Sequence, residues 1–163
     1  MDESSLGEFA HGEYPRIVAA VALVCGSKAA AEDAVQEALA RAWERSTKGE
    51  EIASVGAWVT TVSMNLARSW LRRVRAEQRA RSRVERPKTD GIDAGDHMDL
   101  QRALASLPRR QREAIILHYY LRLDVRDVAE TMRAPEGTVK SLLSRARKHL
   151  AKALRVTDME EVG

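Results

Sequence analysis

One stretch near the C-terminal end constrains the fold most strongly. "EGTVKSLLSRARKHLAKAL", residues 136–154, repeats apolar residues at helical spacing and places polar and basic residues between them. At 100° per residue the apolar set falls within about one third of the helix circumference. That set is Val139, Leu142, Leu143, Ala146, Leu150, Ala153 and Leu154. We expect such a helix to pack on one side and to offer its other side to a polyanion.

The residues just before this stretch predict a helix-turn-helix. A short amphipathic helix is expected at 125–132, then a tight turn through Arg133 and Ala134, and a second helix that opens at Pro135 and Glu136. In a helix-turn-helix the second helix enters the DNA major groove, and its N-terminal residues reach the base edges. The alternative is a solvated terminal helix of a four-helix domain.

The outer face of the last helix supplies the candidate DNA contacts. Polar side chains near its start suit base edges, and the later cations suit phosphates. The small Gly137 suits a close approach to the DNA backbone. The base-facing set is Glu136, Thr138, Lys140, Ser141, Ser144 and Arg145, and the phosphate-binding pair is Arg147 and Lys148.

Two further helices complete the C-terminal domain. Leu100, Leu104 and Leu107 are expected to line the first, and Pro108 is expected at the first position of the second. The second helix has the highest apolar content of the module, through Ile115, Ile116, Tyr119 and Tyr120.

A change of composition divides the chain in two. "ERPKTDGIDAGDHMD", residues 85–99, holds one proline, two glycines and several aspartates with little apolar content, which is typical of a solvated linker. We therefore expect a first domain at 1–84, a flexible linker at 85–98 and a second domain at 99–158.

The first domain also reads as helical. Its first helix is expected to be interrupted or restarted at Pro15 and to end near Gly26, and its second to run from about Lys28 to Arg45. The third is expected at 54–84. The residues predicted to face inward are Ala31, Ala34, Val35, Ala38, Leu39, Ala42 and Trp43 on the second helix, and Val55, Trp58, Val59, Val62, Leu66, Trp70, Leu71 and Val74 on the third.

The second helix carries a polar band opposite its apolar stripe. The band holds Glu32, Asp33, Gln36, Glu37 and Arg41. From periodicity alone it fits either a plain solvated surface or a surface that docks a partner.

The third helix changes character after Leu66. Beyond Leu66 the segment holds many arginines but only two glutamates, and its apolar stripe fades beyond Val74. Such a helix repels itself unless an anion lies against it, and nucleic acid phosphate is the favoured anion. A solvated helix end and a membrane surface are the alternatives. The arginines are Arg68, Arg72, Arg73, Arg75, Arg79, Arg81, Arg83 and Arg86.

Composition and motif content narrow the structural and functional class of the protein. With 44% apolar but only 4% aromatic residues, the chain is expected to be all-α, with helices packed through small side chains. The lone Cys25 and the scattered histidines offer no metal site, no phosphate loop or nucleophile motif appears, and no apolar run is long enough to span a membrane. The N-terminal segment lacks the basic region of a signal peptide. We expect a soluble cytoplasmic protein that is not an enzyme and has no cofactor.

Four segments in order resemble a known family. "AEDAVQEALARAW", "AWVTTVSMNLARSWLRR", "LPRRQREAIILHYYL" and "EGTVKSLLSRARKHL" are similar to the bacterial RNA polymerase sigma factors of the extracytoplasmic-function (ECF) type, and the alanine- and arginine-rich style is similar to the actinobacterial members. The resemblance implies that this chain binds core RNA polymerase and directs transcription initiation at promoters that carry particular minus-ten and minus-thirty-five elements.

The resemblance also assigns roles to residues. It implies that Asp33, Gln36, Glu37 and Arg41 dock on the clamp coiled coil of the largest polymerase subunit, and that the loop at 47–56 captures a flipped minus-ten base. It implies a minus-thirty-five reader in the helix-turn-helix and, as a further partner, an anti-sigma factor. The implied contacts to minus-ten and neighbouring DNA are Asn65, Arg68, Arg72, Arg73 and Arg75.

The sequence departs from the family pattern at four places. The commoner pattern has an aromatic residue at Leu39, an acidic residue at Ser69 and an arginine at Leu142, and it has a glycine near Arg133 or Ala134. Leu142 falls on the apolar stripe, so we expect it to pack rather than to contact DNA.

Two other functions stay open on the residues alone. One is a self-sufficient helix-turn-helix regulator that binds a palindromic operator as a dimer. The other is a helical adaptor with no DNA role, against which the arginine cluster argues.

Overall fold

The computed structural model describes residues 3–81 and 98–162. These fall into two compact units, within Met1–Ile92 and Asp93–Gly163. Every regular element of the described residues is helical, which confirms the all-α prediction with two helical domains. The linker predicted at 85–98 lies outside the described residues except for its last position. No helix in the described ranges has both the length and the apolar character needed to cross a membrane.

The first unit holds four helices. They are α1 (Glu3–Gly12), α2 (Tyr14–Cys25), α3 (Lys28–Thr47) and α4 (Val55–Ala80). The break predicted at Pro15 falls between α1 and α2, and Gly26 ends α2 with a φ of 76°, a left-handed conformation that glycine adopts without strain. The predicted last helical residue, Val84, lies outside the described residues.

Serine side chains start α3 and α4. Ser27 Oγ accepts a hydrogen bond of 3.1 Å from the Ala30 amide, and Ser54 Oγ accepts one of 3.2 Å from the Ala57 amide. Each bond satisfies one of the amides that a helix leaves unpaired at its first turn.

α3 and α4 bring mainly small side chains to the core of the first unit, as the composition predicted, while α2 adds larger ones such as Ile17 and Val21. On α3 the buried side chains are Ala31, Ala34, Val35, Ala38 and Ala42, and on α4 they are Val59, Thr60, Ser63, Met64 and Ala67.

The inner face expected on α4 is met in part, because Val59 is buried and the other apolar residues expected to face inward are partly buried. One expectation on α3 is wrong. Trp43 on α3 was also expected inward, but it is 46% exposed. The reason is steric, because a face of Ala, Ser and Thr lets the helices approach more closely than a face that carries indole rings.

The second unit holds α5 (Met98–Ser106), α6 (Arg109–Ile115), a π-helical turn (Ile116–Tyr120), α7 (Val125–Met132) and α8 (Glu136–Val162). The second predicted helix of this unit therefore ends in a π turn, in which the Leu121 amide donates to the Ile116 carbonyl at 3.1 Å. Pro108 stands just before α6 as its N-cap and not at its first helical position.

The predicted helix-turn-helix is formed by α7 and α8. Asp124 Oδ1 accepts a hydrogen bond of 2.8 Å from the Asp127 amide at the start of α7. Arg133 ends α7 with a φ of 52°, and the Ala134 amide donates to the Ala129 carbonyl at 3.0 Å. The position where the family pattern has a glycine is thus a left-handed one, which a glycine would occupy without a steric penalty.

The apolar stripe of α8 is confirmed at its centre and wrong at its end. Val139, Leu143 and Ala146 are buried against the rest of the unit, and Leu142 is partly buried, as expected for a packing residue. Leu154 near the end of the stripe is exposed, and Leu100 at the start of α5 is exposed as well, although both were expected inward. Leu100 lies in the first turn of α5, where fewer neighbours remain to cover a side chain.

Candidate nucleic-acid interface

The polar band of α3 is a continuous exposed surface. Asp33, Gln36, Glu37 and Arg41 are all exposed, and Arg41 Nε donates a hydrogen bond of 2.7 Å to Glu37 Oε1. Trp43 lies seven residues after Gln36, so the two project from nearly the same side of the helix. The indole thus adds an aromatic group to the edge of a polar surface. The sequence analysis expected Trp43 to face inward and so missed its exposure beside this band, although the spacing to Gln36 gave the signal.

The loop between α3 and α4 borders a cavity of about 560 Å³. α1 contributes one wall and the loop contributes most of the rest. The lining residues are Ser5, Ser46, Gly49, Glu50, Glu51, Ile52, Ala53 and Val55. The loop predicted to capture a base therefore borders a space with room for a small planar group, and Glu51 and the part of the Glu50 carboxylate that Arg45 leaves available are its acidic lining.

Arg45 holds this loop in place. Its guanidinium pairs with Glu50 Oε2 at 2.5 Å and lies 5.8 Å from the centre of the Trp58 ring. Its carbonyl accepts a hydrogen bond of 3.0 Å from the Glu50 amide. A single side chain thus links the end of α3, the loop and α4.

A lysine and a glutamate form an ion pair at the start of the loop. Lys48 Nζ donates to Glu44 Oε1 at 2.7 Å. This hydrogen bond, with the attraction between the two charges, lowers the pKa of Glu44 and raises the pKa of Lys48. Both groups therefore stay charged at neutral pH.

The candidate minus-ten residues lie on α4. Asn65, Arg68, Arg72 and Arg75 follow one another at spacings of three or four, so they share a strip about 80° wide, while Arg73 projects beside it.

Two of the arginines in this group are oriented by polar side chains of the same helix. Arg68 Nη1 donates to Asn65 Oδ1, and Arg72 Nη2 donates to Ser69 Oγ at 3.0 Å. Arg73 and Arg75 are exposed and make no ion pair within the described part of the chain. Arg79 and Arg81 extend the charge and are exposed, whereas Arg83 and Arg86 lie outside the described residues.

All the candidate minus-thirty-five residues are exposed on one side of α8. They are Glu136, Thr138, Lys140, Ser141, Ser144, Arg145, Arg147 and Lys148. Gly137 lies at the centre of this face, and a Cβ built on it would meet nothing within 4 Å. The fold of the described residues therefore leaves this position free to carry a side chain.

Arg147 has a partner outside its own helix. Its Nε donates a hydrogen bond of 2.7 Å to the hydroxyl of Tyr119, which lies on the π turn. Sequence reasoning assigned Arg147 to phosphate binding but gave no sign of this partner, because the two residues are 28 positions apart.

Not every basic residue of the second unit faces outward for binding. Arg112 donates to the carbonyls of Leu104 at 2.9 Å and of Ala105 and Leu107 at 3.0 Å. The Leu104 and Ala105 carbonyls lie in the last turn of α5, where a helix has few donors of its own left, and the Leu107 carbonyl follows the helix. Arg112 therefore holds the end of α5.

Comparison with known proteins gives a match for each unit. The family model for Sigma-70 region 2 matches residues 10–77, and the model for Sigma-70, region 4, matches residues 97–150. The two matches occur in one chain and in the order that the four sequence segments predicted.

Individual proteins agree with the family models. The ECF RNA polymerase sigma factor SigL of Mycobacterium tuberculosis is 31% identical over 169 residues, which cover 99% of this chain and 93% of SigL. The probable RNA polymerase sigma factor RfaY of Xanthomonas campestris is 32% identical over 142 residues and 80% of this chain, but the match spans only 36% of RfaY.

A solved structure is similar over almost the whole chain. The sigma factor RpoE from Bartonella quintana, in complex with the anti-sigma factor NepR, matches with a TM-score of 0.76 and 30% identity. The match covers 95% of this chain and 99% of that one.

Proposed function

Since the chain belongs to the ECF RNA polymerase sigma factors of the sigma-70 family, we propose that it binds core RNA polymerase and directs transcription initiation at promoters with a particular minus-ten and minus-thirty-five element. One observation carries the proposal: both sigma-70 regions match in order, and each coincides with an exposed surface suited to DNA. The match to SigL of Mycobacterium tuberculosis supports an actinobacterial type.

The proposed mechanism uses two weak readers in one chain. Core polymerase holds the two units at the separation of the two promoter elements, and linkage turns two weak affinities into one tight and spaced recognition. The proposed domains are 1–84 and 99–158, joined by the linker at 85–98. The protein acts by binding, and the catalytic chemistry of transcription belongs to the polymerase.

The polar band of α3 is the proposed polymerase-binding surface. Asp33, Gln36, Glu37 and Arg41 supply charged and polar contacts, and we add Trp43 as the aromatic anchor. Exposed tryptophans are frequent hot spots of protein interfaces, because they bury a large area at little cost in conformational entropy. The family resemblance points to the clamp coiled coil as the partner.

The minus-ten element is proposed to meet α4 and the cavity beside it. Asn65, Arg68, Arg72, Arg73 and Arg75 would bind the DNA backbone and nearby groups. A flipped base would enter the cavity, and this flipping would begin strand separation.

The acidic lining of that cavity favours some bases over others. Glu51 accepts hydrogen bonds and donates none while ionised, and Glu50 offers only the oxygen that Arg45 leaves available, so the lining favours a base with an exocyclic amino group over thymine.

The outer face of α8 is proposed to read the minus-thirty-five element. Residues near its start, such as Lys140 and Ser144, would contact base edges, and Arg147 and Lys148 would bind phosphates. The autonomous dimeric regulator is not favoured, because both sigma-70 regions are present in one chain.

A sigma factor acts in the cytoplasm, where the polymerase is, and we propose the same location here. We also propose an anti-sigma factor as a partner, since the similar RpoE from Bartonella quintana is in complex with the anti-sigma factor NepR.

Transcription with purified components tests the proposal. Core polymerase is first checked by gel filtration for co-elution with the protein and is then assayed, with and without it, on DNA from upstream of its own gene. Co-elution and a discrete new transcript are expected. Failure to bind core, together with tight binding of the protein alone to duplex DNA, would establish the autonomous regulator instead.

Paired substitutions then separate the two readers. Replacing Arg72 and Arg73 with alanine is expected to weaken binding to all promoters and to flatten the salt dependence. Replacing Lys140 or Ser144 is expected mainly to change which upstream sequence is preferred. Equal effects on all sequences from both sets would contradict this division of roles.

A further inference from the structure

Arg147 is held by a side chain from another helix. Its Nε donates to the Tyr119 hydroxyl at 2.7 Å, and its guanidinium carbon lies 5.6 Å from the centre of the Tyr119 ring. The contact joins α8 to the π turn. It lies on the surface, since Arg147 is exposed and Tyr119 is 53% exposed.

Tyr119 is itself held in place. The ring of His118 meets the Tyr119 ring edge-on, with 4.8 Å between the ring centres and 78° between the ring planes. His118 Nδ1 lies 2.7 Å from the carbonyl oxygen of Leu123, which can only accept, so Nδ1 is the donor. A chain of contacts thus runs from the backbone before α7, through two rings, to a cation on α8.

The contact with Tyr119 uses one edge of the guanidinium and leaves the other open. Arginine has five N–H donors, and the Tyr119 hydroxyl takes only the one on Nε. Among the described residues, no carboxylate forms an ion pair with Arg147. The donors on Nη1 and Nη2 therefore remain for an oxyanion, and a phosphate accepts them in a two-pronged geometry.

We propose that Tyr119 is a positioning residue, which fixes Arg147 in advance for a backbone phosphate of the upstream promoter element. This inference rests on the proposed function of α8. An arginine side chain that moves freely before binding loses conformational entropy when it binds, and this loss weakens the complex. The Tyr119 hydroxyl orders the guanidinium beforehand. Tyr119 acts through Arg147 and makes no DNA contact of its own.

A double-mutant cycle tests this inference. Holoenzyme is assembled from core polymerase and each of four proteins: the wild type, Tyr119→Phe, Arg147→Ala and the double variant. Promoter affinity is measured for each over a series of salt concentrations. Tyr119→Phe removes the hydroxyl and keeps the ring, so the exposed ring and its contact with His118 stay intact.

The expected pattern is specific. Tyr119→Phe is expected to weaken promoter binding about three- to tenfold, which is the usual cost of ordering one flexible side chain. Arg147→Ala is expected to weaken it further and to reduce the salt slope by about one. In the Arg147→Ala background the Tyr119 substitution is expected to change nothing, because the group it positions is gone.

A neighbouring cation supplies the matched control. Lys148→Ala removes an adjacent candidate phosphate contact, and Tyr119→Phe is expected to retain its three- to tenfold effect in that background. Effects of Tyr119→Phe and Arg147→Ala that simply add would overturn the inference, because they would mean that Tyr119 acts independently of Arg147. Tighter promoter binding by Tyr119→Phe would also overturn it. If wild-type holoenzyme binds no promoter at all, the proposed function fails as well, so the two failures are distinguishable.

Discussion

Replacement of Arg112 with alanine is expected to destabilise the second unit without removing a DNA contact. The Arg112 guanidinium donates to the carbonyls of Leu104, Ala105 and Leu107 at 2.9, 3.0 and 3.0 Å. The bonds to Leu104 and Leu107 are partly buried, so water replaces the donors there poorly, whereas the bond to Ala105 is exposed. The Leu104 carbonyl also accepts a bond of 3.1 Å from the Leu107 amide, which the variant keeps.

The size of the effect follows from these bonds. A hydrogen bond from a charged donor contributes about 1.5–3 kcal/mol, and bonds from one group are not additive. Because Arg112 is itself partly exposed, water recovers part of the loss. We expect a loss of about 2–3 kcal/mol in the free energy of unfolding of this unit.

Amide hydrogen exchange on the full chain measures the change in the free energy of unfolding separately for each unit. A loss of 2–3 kcal/mol corresponds to roughly 30- to 150-fold faster exchange of the amides of α5 and α6 that open with global unfolding. The amides of α3, in the other unit, serve as an internal standard and are expected to be unchanged.

Two variants control the interpretation. Arg112→Lys keeps the charge but loses the fork of donors, so it is expected to lose most of the same stability. Arg126→Ala removes an exposed arginine of α7 and is expected to change exchange by less than about twofold. Unchanged exchange in Arg112→Ala, together with lost promoter binding, would refute the capping argument and make Arg112 a DNA contact.

Three further results are expected. Trp43→Ala should weaken binding to core polymerase about tenfold or more in a titration while the thermal midpoint stays within about 2 °C, and a large fall in the midpoint would mean that the indole serves the core. Gly137→Ala should raise the free energy of unfolding by roughly 0.5 kcal/mol in urea, because the new Cβ has open space. The same variant should weaken promoter binding. Unchanged binding would show that no DNA backbone approaches this glycine. Arg133→Gly should raise the stability of the second unit by about 0.5–1 kcal/mol in the same assay, because it relieves a left-handed residue, and a loss of stability would contradict the strain argument.

The sequence predicts the elements of the fold better than their faces. The bounds of α7 were predicted at 125–132 from a short amphipathic run and a tight turn, and the structure adds the Asp124 cap at the same start. The inner face of α4 was predicted only in part, because hydrophobicity does not measure how closely a side chain fits its neighbours. Periodicity favours Trp58 and Leu66, whereas close packing against α3 favours Ser63 and Ala67.

The candidate interfaces were predicted at the level of helices and not at the level of contacts. The exposure of the polar residues on α3 and α8 follows from their helical period alone. The cavity beside the loop was not predictable in this way, because Ser5 reaches it from a distant helix. The Tyr119–Arg147 contact also joins distant residues, and it depends on a π turn for which a five-residue stretch gives no periodic signal.

The π turn makes the effect of chain length differ along this part of the chain. It holds one residue more between donor and acceptor than an α-helical turn does. Deleting one residue between Ile116 and Tyr120 would allow a continuous α-helix in which the later side chains keep nearly their present angular positions, because the wider turn already absorbs the additional residue. Deleting one residue from the regular turns of α6 would instead rotate the side chains that follow by about 100° and turn Tyr119 away from Arg147. Any substitution survey keeps the length fixed and leaves this dependence unseen, whereas a scan of single-residue deletions exposes it.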